Sequence, residues 1–245
     1  MVGYLYLLKQ PLNRLKMAKV KFSALVSEMR NKLNGSVFSR NRGGAYLRTK
    51  VTPLNPQSIA QVLVRARFTG FSQAWRSLTD AQRDAWRSAV SNWATTDVFG
   101  DLINPTGATL YIRLNTNIQN AGGAVISLPP APAGADALTA LSVVAGAGAG
   151  TVAVTFDPAA VPAGHGAVLD ATANLSPGVE NANSQFRQID VLAAAEASPY
   201  AAGASYVAKF GGLTEGQRIF VRLRFVNLLT GERSQAVKAS AIVGA

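Results

Sequence analysis

Two arginine-bearing stretches hold the side chains best suited to recognition chemistry. In KLNGSVFSRNRGGAYLRTKVT, the basic residues Lys32, Arg40, Arg42, Arg48 and Lys50 ring a run of β-favouring side chains. In LTDAQRDAWRSAVSNWA, Arg83 and Arg87 are interleaved with Trp86 and Trp93. Cations set among aromatics can hold phosphates while bases stack on the rings, or can meet the carboxylates of another protein. The same charges can equally form a solvated face that protects a sheet edge. Acid–base and metal chemistry are poorly served. His165, in PAGHGA, is the single histidine, has no nucleophile-elbow pattern around it and reads as a solvated loop residue. The chain has no cysteine, which excludes disulfides, thiolate metal sites and cysteine nucleophiles, and its thirteen acidic residues form no D-x-D cluster. No catalytic residue, metal or cofactor is expected, and the chain reads as non-enzymatic.

Helical spacing separates the tryptophans from the arginines. Thr79 with Gln82 three residues on is a capping box opening a helix. Trp86, Val90 and Trp93 then fall on one face, and Arg83 and Arg87 on a neighbouring one, with Asp80 and Asp84 at pairing distance. The preceding segment, LNPQSIAQVLVRARFTGFSQAW, reads as a helix capped by Asn55, with Pro56 at its first position and Leu54 and Ile59 as a staple. Along it Val64, Phe68, Phe71 and Trp75 make one apolar stripe. The Trp86/Trp93 face is expected to pack on Phe68, Phe71 and Trp75, so the rings are core. A third helix, ATLYIRLNTNIQN, with Leu110, Leu114 and Ile118 in register, closes a three-helix module.

Composition divides the chain. Residues 1–120 carry seventeen Lys/Arg against five Asp/Glu, a charge of +12, and residues 121–245 carry seven against eight, a charge of −1. The first half is rich in Asn and Arg, the second in Ala, Gly and Val. No run of about 18 apolar residues is present, so no membrane span or membrane partner is expected. MVGYLYLLKQPLNRLK lacks the pattern of a secretory signal and reads either as an anchoring arm or as translation from a start upstream of Met17. The expected organisation is an extended basic arm over 1–31, a hairpin plus helical docking domain over 32–122, a linker over 123–136 and a β-sandwich domain over 137–245.

That last expectation rests on period-2 alternation. TVAVTF alternates, and in RIFVRLRFV the residues Ile219, Val221, Leu223 and Phe225 point one way while Phe220, Arg222 and Arg224 point the other. One face of such a strand is core and the other wet. Short strands with turns such as NLLTGER suggest an antiparallel sandwich of roughly 100 residues. The fold class is thus α+β, in two domains.

The segment GLTEGQRIFVRLRFVNLLTGERSQAVKASAIV resembles the E–F turn, F strand, F–G loop and G strand of a fibronectin type III or Ig-like domain. LSVVAGAGAGTVAVTFDP resembles that family's A and B strands. Ile219 stands where the family places a corner tyrosine, and Phe156 where it places a tryptophan. Residues 41–89 and 104–115, with the series NPQS…R.RF…AWR.LT.AQR.AW, are similar to small structural proteins of tailed bacteriophages and prophages. These resemblances imply a virion structural protein, assembled in the bacterial host cytoplasm. It would dock through Arg40, Arg42, Arg48, Lys50, Arg83 and Arg87 on capsid, portal, neck or tail proteins, as a homo-oligomer within the particle. The alternative is a phage DNA-binding protein using Arg40, Arg42, Arg48, Arg65, Arg67, Arg76, Arg83 and Arg87.

Overall fold

The computed structural model of the chain describes residues 17–23, 25–41, 44–52, 54–96, 100–148 and 150–244. Residues 1–16 of the expected arm, and Arg42, lie outside them. The chain divides into two compact units, Met1–Ser58 and Ile59–Ala245. The helices therefore share a unit with the C-terminal strands, and the break falls at 58/59 instead of within 123–136.

In the first unit, strands β1 (Met17–Lys19), β2 (Asn31–Leu33), β3 (Ser36–Asn41) and β4 (Gly44–Thr49) make an antiparallel sheet in the order β1-β4-β3-β2. The expected hairpin is β3–β4. Asn41 pairs with Gly44, which leaves a two-residue connection, and Gly44 sits at φ +106°, backbone that glycine adopts without steric cost.

The second unit begins with helices α1 (Ile59–Ser77), α2 (Asp80–Ala89), a 3₁₀ turn (Val90–Trp93) and α3 (Gly107–Asn120). Between the turn and α3, β5 (Thr95–Thr96) and β6 (Leu102–Ile103) form a short ladder. Both bonds of the Thr79/Gln82 capping box are made. Phe71, Trp86, Trp93, Leu110, Tyr111 and Leu114 form one buried cluster with Trp75 packed against it. Tyr111 is its hub: the rings of Phe71, Trp75 and Trp86 lie 6.4, 5.6 and 5.4 Å from it, two of them edge-on. Trp86 Nε1 donates to the Ser127 carbonyl at 2.9 Å, so this tryptophan offers no ring face for stacking.

Two expectations for α1 are corrected. Phe68, assigned to the core, is 59% exposed. Arg67 bonds Asn120 at the last turn of α3 while Phe71 and Trp75 meet Tyr111 further back along it, so the two helices run antiparallel. The part of α1 before Arg67 thus overruns the end of α3, and the apolar stripe continues past its cover. The helix also starts at Ile59 and not just after Asn55. Gln57 has φ +47°, which breaks the helical path behind Pro56, and with Leu54 91% and Ile59 82% exposed there is no staple.

The C-terminal part has two antiparallel sheets. One is β11-β8-β7, built from β7 (Ala140–Gly146), β8 (Thr151–Asp157) and β11 (Tyr200–Ala201). The other is β10-β9-β12-β13, built from β9 (His165–Ala171), β10 (Arg187–Leu192), β12 (Arg218–Asn227) and β13 (Val237–Ile242). Val152, Val154 and Phe156 from the first, and Ile219, Val221, Leu223 and Phe225 from the second, share one core. Helix α4 (Gly203–Phe210) adds buried Tyr206, whose hydroxyl donates to the Thr172 carbonyl at 3.0 Å. Strand β9 is buried along its whole length: Ala121, just past α3, packs with Val168 and Val226 near its start, and Arg222 and Arg224 close over Asp170 near its end.

His165 is another correction. It is 7% exposed at the start of β9, with Nε2 accepting from the Asp136 amide at 3.3 Å and Nδ1 3.1 Å from the Ala163 carbonyl. The 123–136 segment has no regular structure, yet side chains pin it. Asn115 bonds both polar atoms of the Ile126 backbone, and Glu232 accepts from the amides of Ala133 and Gly134.

Candidate docking surface

The basic residues proposed for recognition fall into two groups. Arg83 and Arg87 on α2 are each paired three residues back, with Asp80 at 2.5 Å and Asp84 at 2.6 Å. Each charge thus has a local partner at the surface. Arg40 lies 3.8 Å from Glu28, which also holds Arg30 at 2.8 Å. Among the described residues no acid pairs with Arg48 or Lys50. The structure therefore gathers Arg40, Arg48 and Lys50 on the small sheet of the first unit and leaves Arg83 and Arg87 on another unit.

That sheet has two unlike faces. Its register sets Asn31, Phe38, Leu47 and Ala18 side by side, with Arg40 opposite Ala45 and Leu33 opposite Ser36 on the same side. The opposite side carries Lys32, Val37 and Arg48 in one row and Ser39, Tyr46 and Lys19 in the next. The first face is the more apolar, although Asn31, Ser36, Arg40 and Thr49 stand on it, and the other carries Lys19, Lys32 and Arg48 beside Val37 and Tyr46. An antiparallel sheet normally covers such an apolar face with a second layer. Here none of the residues described over 18–58 is fully buried: Phe38, Ala45 and Leu47 are half-buried and Leu33 is 60% exposed. Among the described residues this face has no fully buried core.

A second exposed surface runs along the first half of α1. Ile59, Val62, Leu63, Val64 and Phe68 are between 48% and 82% exposed. No acidic residue lies in its first turn. Counting apolar residues alone hides this surface, since the 3.6-residue period fits the covered and the uncovered turns equally. The sheet face was legible in the alternation of residues 36–49 once the register was known: Arg40 shares a side with Phe38, and Arg48 does not. Among the described residues, no group of three or more His, Asp and Glu is placed to hold a metal ion, and no helix is long and apolar enough to cross a membrane.

Comparisons with protein-family models, with curated proteins and with solved structures give no match for this chain.

Proposed function

We propose that the protein is a non-enzymatic structural component of a tailed-phage virion, docking through the sheet of residues 17–50. The observation that carries the reading is a four-stranded sheet with a more apolar face, a basic reverse and no fully buried residue among those described. Assembly would complete the burial of such a sheet, and the ordering cost would be met at that moment by the area covered. Acidic patches on capsid, portal, neck or tail proteins suit the Lys19, Lys32 and Arg48 side. Further copies of the chain around the particle would make it a homo-oligomer in place. The C-terminal sheets support the sandwich part of the reading. The resemblance's A and B strands are the paired β7 and β8, and its F and G strands the paired β12 and β13 of the facing sheet, as in a fibronectin type III or Ig-like sandwich. Ile219, at the corner-tyrosine position, is wholly buried.

The test is incorporation. Mass spectrometry of purified particles should find the wild-type chain and lose a Phe38→Asp/Leu47→Asp double variant that is otherwise folded. Full incorporation of that variant overturns the docking scheme. In the DNA-binding alternative two of the cations would have to exchange their surface partners Asp80 and Asp84 for phosphate. A gel shift that steepens at low salt would restore it, because each phosphate contact releases counterions.

A further inference from the structure

The outer face of β9 and β12 carries more positive charge than its acids answer. Arg222 and Arg224, both facing outward from β12, share one carboxylate oxygen. Asp170 Oδ2 accepts from Arg222 at 3.0 and 2.7 Å and from Arg224 at 3.1 Å. Asp170 is 3% exposed, and the Arg222 guanidinium lies 4.5 Å over the Phe186 ring, so this pair is closed. Arg233 adds a third guanidinium from the loop after β12 and bonds the Asn117 side-chain oxygen. Burial and the nearby charge of Arg224 lower its pKa, against the pull of Asp170.

Three guanidiniums face one carboxylate. The C-terminal end of α3, at Asn117–Asn120, contributes roughly half a negative charge. About one and a half positive charges remain at a partly desolvated surface, where an unanswered charge is costly.

A recess opens at this place, lined by Asn117, Asn120, Gln188, Arg224 and Arg233 over a floor of Val168 and Val226. Its free volume is about 30 Å³, room for a head group of two or three atoms. Asn117 and Gln188 each give one amide hydrogen to a backbone carbonyl, of Gly231 and of Asn120. The charged donors of the recess are those of Arg224 and Arg233. Guanidinium is planar and forked, and matches a planar two-oxygen acceptor better than a tetrahedral one in so shallow a space.

We propose that this recess is a carboxylate-binding site, one guanidinium from Arg224 and one from Arg233 each taking an oxygen. The guest is a side-chain carboxylate or chain terminus of a bound protein, or a free small carboxylate. The proposal stands apart from the virion reading, since it uses no residue of the first unit.

The test is an NMR titration of the arginine Nε–H signals of the full chain with sodium acetate, at constant ionic strength against sodium chloride. Saturable shifts at Arg224 and Arg233 in the millimolar range are expected. Arg233→Gln should weaken binding about tenfold or more, and Arg187→Gln, on the edge strand, should not. Arg224→Gln should weaken acetate binding likewise, so the result does not depend on whether Arg233→Gln folds. N-acetylglutamate amide and N-acetylglycine then separate a side chain from a chain terminus as the source, and binding of either supports the site. Linear shifts matched by chloride, unchanged acetate binding in both Arg233→Gln and Arg224→Gln, or tighter binding of inorganic phosphate than of acetate would overturn it.

Discussion

Phe38 and Leu47 stand directly opposite each other on β3 and β4, and neither is buried. A cross-strand pair of this kind contributes a few tenths of a kcal/mol to about 1 kcal/mol through its own contact. A covering layer would add far more, since a fully buried Leu or Phe contributes about 1.5–3 kcal/mol. The pair is half-buried, so a covering layer would add the remaining part of that amount, with the exposed Leu33 beside it.

Replacing either residue should barely alter the free protein. Phe38→Asp and Leu47→Asp are each expected to leave the thermal transition of the helical and C-terminal unit unchanged, because that unit holds its own core. A calorimetric scan of the two variants checks this. Loss of that transition would mean that the sheet is already part of a larger core.

Arg83 and Arg87 should prove dispensable for stability. Both pairs lie at the surface, with Asp80 91% and Asp84 66% exposed, and exposed pairs of this kind are each worth about 0–1 kcal/mol. Arg87→Ala should shift the denaturation midpoint by about 0.5 kcal/mol or less, whereas Thr79→Ala, which removes the cap, should cost about 1 kcal/mol. Urea titrations distinguish them.

How α3 seats on the strands depends on one glycine. A Cβ at Gly231 would stand 2.7 Å from the Leu114 carbonyl and 2.9 Å from its Cα, and the residue sits at φ +77°. Asn117 also donates to the Gly231 carbonyl at 2.7 Å. Gly231→Ala should therefore destabilise the unit by more than about 2 kcal/mol. Gly70→Ala, in open space inside α1, should stabilise it by up to about 1 kcal/mol.

Alkaline stability should fall between about pH 10 and 12. Burial pushes the Tyr206 hydroxyl up to about 12. Burial, followed by its bond to Asp190, does the same for Tyr200. In the unfolded chain both ionise near 10. Above that pH the native state holds protons that the unfolded state has released, so stability declines as pH rises through this window. Tyr200→Phe/Tyr206→Phe should flatten the decline measured by urea midpoints at pH 9.5, 10.5 and 11.5, and an unchanged slope would contradict the assignment.

The legible parts of the fold were those that local spacing determines. Thr79 and Gln82 announce their helix, and Ile219, Val221, Leu223 and Phe225 announce a half-buried strand by alternation alone. Tyr111 escaped notice because a ring at the hub of three others is set by helix–helix contact, which spacing within one helix does not reveal. Phe68 was misplaced for a related reason. Its stripe is continuous with Phe71 and Trp75, and only the end of α3 at Asn120 decides where cover stops. Helix α4 and strand β9 lie in Ala-rich sequence with little periodic contrast. Arg222 and Arg224 could be read as outward-facing, but Asp170, which they share, comes from that same Ala-rich region.

The most direct measurement is hydrogen–deuterium exchange of residues 36–49, in the free protein and in purified particles. With no fully buried residue among those described in this sheet, these amides should exchange far faster in the free protein than those of β9 and β12. They should become protected in the particle. Protection in the free protein equal to that of β12, or exchange in the particle as fast as in solution, would contradict the claim that this sheet is completed by docking.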